Sequence, residues 1–149
     1  MAAYSFLDVS GTVIGPGGAG IFGSGAGAAE EGITITPAED KNVMQIGADG
    51  NGQHSLIASD AGKVTFRLLK TSPLNAVFMA MYDLQSAASS LWGTNTIAVV
   101  VTSTGDLHTC QLCAFNKKPE INYQKEAGMN EWVFDSIKIT TILGATLNG

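Results

Sequence analysis

Much of the chain alternates between apolar and polar residues with the two-residue period that is typical of β-strands. The clearest runs are Ile33 to Thr36, Val64 to Lys70 and Thr96 to Thr102, in which β-branched residues are frequent. The same pattern predicts five further strands, at Tyr4 to Ile14, Asn42 to Gly47, Leu107 to Phe115, Glu120 to Lys125 and Trp132 to Leu143. The turn at Pro37 to Lys41 predicts that the strands on either side of it pair as a hairpin.

One segment has helical spacing instead. Apolar residues recur every three or four positions from Leu74 to Leu84, and Ser72-Pro73 precedes them. Serine can cap the free N–H groups of a helix start, and proline suits its first turn. We expect a helix over about residues 73–85. Together with about eight strands it predicts an α+β domain that is mainly β, an antiparallel β-sandwich or barrel subunit with one flanking helix.

Two long loops are expected between the strands. The region from residue 15 to 32 holds 8 of the 18 glycines, which predicts a Gly-rich loop or a loose hairpin. A second loop is expected from about residue 48 to 61, because Ala48-Asp49-Gly50-Asn51-Gly52 is a dense turn signal. No linker divides the chain, so residues 1–149 are expected to form a single domain.

The composition is low in charge. Charged residues make up 14% of the chain, against about 25% in a typical soluble domain. Either self-association covers much of the surface, or a monomer has a surface rich in Ser, Thr and Gly. The 45% apolar content excludes a disordered chain, and the net charge of −5 disfavours a nucleic-acid reader. We expect no membrane insertion, because no apolar run approaches about 20 residues.

The negative charge is concentrated at the start of the chain. Residues 1 to 40 carry five acids and no Lys or Arg, whereas residues 41 to 149 carry eight groups of each sign. Four of the five acids form two adjacent pairs, Glu30-Glu31 and Glu39-Asp40. This region is either a solvated acidic edge or a surface that repels a polyanion or binds a basic partner.

Cys110-Gln111-Leu112-Cys113 is the pattern with the strongest suggestion of chemistry. A redox pair needs its first cysteine at a helix N-terminus, and a zinc site needs four ligands, for which His108 and His54 are the available histidines. In a regular strand, residues three apart point to opposite faces, so we expect the sulfurs to diverge and to be ordinary, partly buried thiols. The sequence therefore predicts no enzyme, no metal and no cofactor.

Four segments together carry a family resemblance. They are YSFLDVSGTVIGPGG (Tyr4 to Gly18), EEGITITPAEDKNVMQIGADGNGQHS (Glu30 to Ser55), GKVTFRLLKTSPLNAVFMAMY (Gly62 to Tyr82) and KKPEINYQKEAGMNEWVFDSIKI (Lys117 to Ile139). In this order they resemble the tail tube proteins of long-tailed bacteriophages, especially those with contractile tails. The resemblance covers nearly the whole chain, and GADG, LLKTSP and EWVF are its most specific parts.

The resemblance implies a structural virion protein that is assembled in the cytoplasm of a host bacterium. Six subunits would form a ring, and stacked rings would form a hollow tube that conducts DNA into the host without binding it specifically. The implied partners are the tail sheath, the baseplate or tail initiator, and the terminator protein. If each subunit lends four strands, the 24-stranded barrel has a backbone radius of roughly 24 Å.

The resemblance also implies roles for particular residues. The loop at 48–61 corresponds to the long loop that contacts neighbouring subunits in this family. The expected interface residues are Asp49, Gly50, Asn51, Gly52, His54, Leu56 and Ile57. Glu30, Glu31, Glu39 and Asp40 are candidates for an acidic lumen wall. Six chains at −5 give −30 per ring (6 × −5), which would keep DNA from sticking.

Two alternatives remain open at this point. The first is the tube of a phage-derived bacteriocin or secretion device, which belongs to the same structural class. The second is a monomeric β-sandwich binding module, which would not polymerise as its concentration is raised.

Overall fold

The computed structural model describes residues 9–23, 30–70, 72–121, 123–126 and 128–144. Its nine strands are β1 (Val9–Gly15), β2 (Gly18–Gly23), β3 (Glu30–Pro37), β4 (Asn42–Ile46), β5 (Gly52–Leu56), β6 (Gly62–Leu69), β7 (Asn95–Val101), β8 (Asp106–Phe115) and β9 (Met129–Ile142). One α-helix, α1 (Leu74–Ser86), and a short 3-10 helix (Ser89–Leu91) complete the regular structure.

Seven strands form one antiparallel sheet in the order β2-β1-β7-β8-β9-β6-β3, which curls into a half-barrel. The mainly β class with one flanking helix is therefore confirmed. The predicted pairing of Ile33–Thr36 with Asn42–Gly47 is wrong. Strand β3 pairs with β6, and β4 pairs with β5 in a separate two-stranded sheet. The predicted loop at 48–61 contains β5, which the sequence analysis missed.

One face of the large sheet is buried beneath α1. The alternating residues Val64, Phe66 and Leu68 of β6 are buried, and Phe66 contacts the rings of Phe78 from α1 and Phe134 from β9. Fully burying one such side chain contributes about 1.5–3 kcal/mol, so this layer of aromatic and branched side chains stabilises the sheet–helix contact. The opposite face of the sheet carries exposed apolar side chains, among them Val100, Leu112 and Ile137.

Helix α1 begins close to where the sequence predicts. The Ser72 hydroxyl accepts a hydrogen bond from the Leu74 N–H at 3.3 Å. Asn75 fixes the first turn further, because its side-chain amide donates to the carbonyl oxygen of Leu69 at 3.0 Å and its oxygen accepts from Trp132 Nε1 at 3.0 Å. The helix start is thereby tied to the end of β6 and to the core.

The first part of the Gly-rich region is a hairpin rather than a loop, since β1 and β2 pair from Ser10–Gly23 to Gly15–Gly18. Its glycines let α1 lie directly on the backbone. A Cβ at Gly20 would lie 3.1 Å from Phe78 and 3.2 Å from Leu74. The glycine density therefore has a packing role in the described part of this region, whereas residues 24–29 lie outside the description.

A buried amide pair joins the helix to the sheet. The Gln85 and Asn95 side chains each donate to the other's oxygen at 2.8 Å. Their remaining donors bind the carbonyl oxygens of Pro16 at 2.9 Å and Cys113 at 3.0 Å. Gly15 leaves room for the pair, because a Cβ there would overlap the Asn95 side chain.

The strand predicted at Glu120 to Lys125 is wrong. Its described residues carry no regular structure, and neither do their neighbours between β8 and β9. The apolar side chains of this stretch, Ile121 and Tyr123, are exposed, so they do not contribute to the core. Lys70 lies over the Tyr123 ring, 4.2 Å from its centre.

Candidate subunit interface

Strands β4 and β5 form a projecting hairpin, which we call the arm (residues 42–56). Every residue of both strands is exposed. A single two-stranded hairpin is only marginally stable in water. Such a hairpin with large exposed apolar residues is typical of a segment that another molecule covers.

The large apolar side chains of the arm are concentrated on one of its two faces, which also carries Asn42 and His54. The register pairs Met44 with His54 and Ile46 with Gly52, so these residues share a face with Leu56. On this apolar face Met44, Ile46 and Leu56 are 58%, 63% and 81% exposed. The opposite face carries Gln45 and Gln53, which hydrogen-bond to each other at 2.7 Å, and Val43 is its one large apolar residue. The asymmetry predicts that the arm docks through its apolar face.

The base of the arm is fixed to the large sheet. Lys41 forms an ion pair with Asp60 at 2.8 Å and its backbone oxygen accepts from the Ile57 N–H at 2.8 Å. The Lys41 hydrogen bond and charge lower the pKa of Asp60. Next to it, the Asp60 carbonyl accepts from the Ile139 N–H at 2.9 Å. These contacts set the direction in which the arm leaves the sheet.

The tip of the arm is a tight turn. Gly50 has φ +87°, in the left-handed region that glycine adopts without strain. Asp49 accepts hydrogen bonds from the backbone N–H of Asn51 at 3.1 Å and from its side-chain amide at 2.9 Å. These two bonds, the backbone one first, hold the pKa of Asp49 below its usual value. The tip is therefore both ordered and negatively charged.

The structure brings all seven expected interface residues together on the arm or at its base. Asp49, Gly50 and Asn51 form the tip, while Gly52, His54 and Leu56 belong to β5 and Ile57 follows it. Sequence reasoning missed Met44 and Ile46, the other apolar residues of the same face. The alternation of apolar and polar residues from Asn42 to Ile46 could have identified them, but the sequence prediction paired this strand with Ile33–Thr36 rather than with β5.

The four acidic candidates do not form one cluster. Glu39 and Asp40 are exposed in the turn between β3 and the arm. Glu30 lies at the other end of β3, because it pairs with Leu68 whereas Pro37 pairs with Gly62. Glu31 follows Glu30 in β3.

The cysteine pattern lies on a β-bulge, which corrects the expectation that the two sulfurs diverge. Asn95 pairs with Cys113 and Ile97 pairs with Cys110, so β8 has one extra residue here. The bulge exposes Leu112 and its neighbour Gln111 and turns both cysteines into the core. Burial raises the pKa of Cys110 to about 12 and also raises that of Cys113. Both are free thiols that burial makes unreactive.

The candidate features of the described residues lie on the surface and do not include a metal site. No group of three or more His, Cys, Asp or Glu side chains among them could hold a metal ion. No helix within the same ranges has the length and apolar character to cross a membrane. The arm, with its exposed apolar side chains, is the candidate functional feature.

Comparison with known families decides the class of protein. The sequence profile of the family described as "Bacteriophage PhiTE tail tube protein" matches residues 1–144. The chain belongs to this tail tube family. It is a structural protein of a phage tail or phage-like tube. No curated protein sequence matches the chain significantly.

Solved structures of tube components share the fold of this tail tube protein. A chain of the sheath-tube complex of an extracellular contractile injection system (PVC, extended state) aligns with a TM-score of 0.59 at 8% identity, covering 95% of this chain and 92% of that one. A chain of the sheath/tube terminator of the same system gives 0.58 at 10% identity, covering 95% and 98%. A chain of the anti-feeding prophage baseplate gives 0.56 at 9% identity, covering 99% of both.

Proposed function

We propose that six copies of this tail tube protein form a ring and that rings stack into the hollow tube of a contractile phage tail. DNA would pass through this tube into the host without specific binding. The observation that carries the proposal is the family match over residues 1–144. The low charge content and the exposed apolar face of the arm support it, because both are typical of surfaces covered by assembly.

The strand number limits how the ring is built. If all seven strands of six copies joined one barrel, its backbone radius would be about 42 Å. With four strands per copy the radius is roughly 24 Å, which leaves a bore suited to a DNA duplex. We therefore infer that about four strands of each curled sheet line the bore and that the others lie outside it.

The arm is the proposed contact between copies. Its apolar face, Met44, Ile46 and Leu56, would be covered by a neighbouring subunit, and the seven residues expected from the sequence would lie in or beside this contact. The ordered tip and the fixed base support this role, because a preformed arm loses little conformational freedom on binding.

The remaining parts of the proposal concern partners and location. Structures that share this fold come from a sheath-tube complex, a terminator and a baseplate, which supports contacts of the tube with a sheath, a baseplate or initiator and a terminator. We place the assembled protein in the virion tail, after assembly in the cytoplasm of the host bacterium, and assign it no enzymatic activity. Glu30, Glu31, Glu39 and Asp40 would face the bore.

Negative-stain electron microscopy of the purified protein across a concentration series tests the assembly. We expect rings or hollow tubes with sixfold end views above a critical concentration. Monodisperse monomers at all concentrations, even with tail-initiator proteins added, would overturn the proposal and favour a monomeric binding module.

A second candidate, the tube of a phage-derived bacteriocin or secretion device, is favoured by the injection-system origin of the structures that share the fold. Particles purified from a producing strain distinguish the two. A DNA-filled capsid attached to the tube supports the phage tail, whereas capsid-free particles support the second candidate.

A further inference from the structure

The tip of the arm contains two pairs in which a side-chain carbonyl is followed directly by glycine. They are Asp49-Gly50 and Asn51-Gly52, and all four residues are exposed. In such a pair the backbone nitrogen of the glycine can attack the side-chain carbonyl carbon before it, because glycine has no Cβ to obstruct the approach. The product is a five-membered succinimide ring. The two pairs differ in whether the structure leaves the attacking nitrogen available.

The first pair, Asp49-Gly50, is protected on both sides of the reaction. The backbone N–H of Gly50 donates to the carbonyl oxygen of Gly47 at 3.0 Å, so the nitrogen that would attack is occupied. The hydrogen bonds from the backbone N–H and the side-chain amide of Asn51 lower the pKa of Asp49, which is therefore ionised at neutral pH. The negative charge of an ionised carboxylate opposes attack by a nucleophile. We expect this pair to be stable.

The second pair, Asn51-Gly52, has a free nucleophile. The backbone N–H of Gly47 donates to the carbonyl oxygen of Asn51 at 2.7 Å, and the next pair of the hairpin is Ile46 with Gly52. Hydrogen-bonded and non-hydrogen-bonded pairs alternate along antiparallel strands, so the backbone N–H of Gly52 points away from β4. On that side β5 has no neighbouring strand among the described residues. The Gly52 nitrogen therefore faces solvent.

The electrophile, the side-chain carbonyl of Asn51, is held only by exposed contacts. Its amide donates to Asp49 Oδ2 at 2.9 Å and the backbone N–H of the same residue donates to Asp49 Oδ1 at 3.1 Å. Water competes for both hydrogen bonds, and a two-stranded hairpin is only marginally stable. Asp49 therefore restrains the Asn51 side chain until the tip opens, which slows the attack without preventing it.

We propose that Asn51 is a site of spontaneous deamidation, in which the backbone nitrogen of Gly52 attacks the side-chain carbonyl of Asn51 when the tip opens. The attack forms a bond between the Gly52 nitrogen and Asn51 Cγ, and the bond from Cγ to Nδ2 breaks. The amide proton of Gly52 passes to water, and the leaving nitrogen takes up a proton and departs as ammonia. Water then opens the succinimide. Addition at Cγ gives aspartate, and addition at the backbone carbonyl carbon gives isoaspartate.

Either product disturbs the turn at the tip. The Asn51 amide lies 2.9 Å from Asp49 Oδ2, and a carboxylate in its place cannot donate a hydrogen bond and repels the charge of Asp49. Isoaspartate also inserts a methylene group into the backbone, which displaces the carbonyl oxygen that accepts from the Gly47 N–H at 2.7 Å. Deamidation therefore removes contacts that keep the tip ordered.

The consequence for assembly rests on the proposed function, in which the arm contacts a neighbouring copy. A tip that gains a charge and loses its turn would bind less well. Subunits that remain unassembled would therefore lose their competence for assembly with age. Coverage of the arm in the tube would limit opening of the tip and so slow the reaction.

Peptide mass spectrometry of the purified, unassembled protein tests the site directly. During incubation at neutral pH, we expect aspartate and isoaspartate to accumulate at Asn51 while Asp49 stays unchanged. The matched variant is Gly52→Ala. A Cβ at Gly52 would lie 3.4 Å from the Gln45 carbonyl oxygen, an ordinary contact, and φ of Gly52 is not positive, so the hairpin can accept alanine. We expect this variant to slow conversion at Asn51 at least about tenfold, because the added methyl group obstructs the attack.

The possible results are distinct. An unchanged Asn51 in the wild type, isoaspartate at Asp49 as abundant as at Asn51, or equal rates in the wild type and Gly52→Ala would overturn the proposal. The other Asn-Gly pair of the sequence, Asn148-Gly149, falls in a different tryptic peptide and so does not interfere.

The variant Asn51→Asp, which reproduces the aspartate product, tests the consequence for assembly. We expect its critical concentration to exceed that of the uncharged variant Asn51→Gln about threefold at low salt, because it adds a like charge beside Asp49. Equal critical concentrations would overturn this consequence and leave the deamidation site standing. Absence of tubes in the wild-type protein under every condition would overturn the proposed function, whereas the result for the unassembled protein does not depend on it.

Discussion

The amide pair of Gln85 and Asn95 joins the last turn of α1 to β7 within the core. Replacing Asn95→Ala leaves the Gln85 amide and the Cys113 carbonyl without their partner in the core. We expect a loss of about 2–4 kcal/mol in the free energy of unfolding, since each unsatisfied buried group costs about 1–3 kcal/mol. Urea unfolding of the unassembled protein measures it. The exposed neighbour change Thr96→Ala should cost less than about 1 kcal/mol, and equal losses would contradict this role.

The buried cysteines make stability depend on alkaline pH. The unfolded thiol titrates near its ordinary value of 9.0, whereas burial raises the pKa of Cys110 to about 12. Between these values the unfolded state loses a proton that the folded state keeps, so the free energy of unfolding falls as pH rises. The slope for Cys110 is about 1.4 kcal/mol per pH unit. Urea unfolding from pH 8 to 11 should give a flatter profile for Cys110→Ala, and parallel profiles would contradict the assignment.

At the scale of elements, the contact between α1 and the glycine hairpin is set by the absence of a side chain. A Cβ at Gly20 would already press on Phe78 and Leu74, so Gly20→Val should lower the free energy of unfolding by about 1–3 kcal/mol through overpacking. Ala19→Val provides the control, because Ala19 is exposed on the same strand and valine favours strands. Thermal unfolding of the two variants compares them, and a Gly20→Val protein as stable as the control would refute the packing role.

The sequence predicts elements better than their partners. The helix at 73–85 and most strands follow from local periodicity, which reports burial along one element. The partner of Ile33–Thr36 cannot be predicted in this way. Its partner β6 follows the whole arm in sequence, and the turn at Pro37–Lys41 has the residues of an ordinary hairpin turn. The bulge at Leu112 cannot be read from the sequence either, since one extra residue puts Cys110 and Cys113 on the same face, whereas strict alternation assigns them to opposite faces. The arm was predicted as a contact segment from the resemblance, and its strand pairing could be obtained only from the structure.

At the scale of the whole molecule, the uneven charge matters if DNA passes through the tube, as proposed. The whole net charge of −5 comes from residues 1–40. The proposed ring of six would carry −30 (6 × −5). A negative wall repels phosphates and so opposes adsorption of the duplex during its passage. Glu39 and Asp40 lie at the foot of the arm, and Glu30 and Glu31 at the far end of β3. If they all face the bore, each ring presents two separate acidic levels rather than one band.

Neutralising both levels tests this arrangement. Particles assembled with Glu30→Gln, Glu31→Gln, Glu39→Gln and Asp40→Asn should release DNA several-fold more slowly at low salt, as followed by a dye that fluoresces on released DNA. The difference should shrink as ionic strength rises, because screening acts over about 10 Å at 0.1 M salt. Changing Glu120→Gln and Glu126→Gln, in the irregular segment before β9, removes two charges from exposed positions outside residues 1–40 and should leave the rate unchanged.

A rate of DNA release equal to wild type in the fourfold variant would place these acids away from the bore. If neutralising only one of the two acidic pairs slows the release of DNA, the end of β3 that carries this pair is the end that faces the DNA.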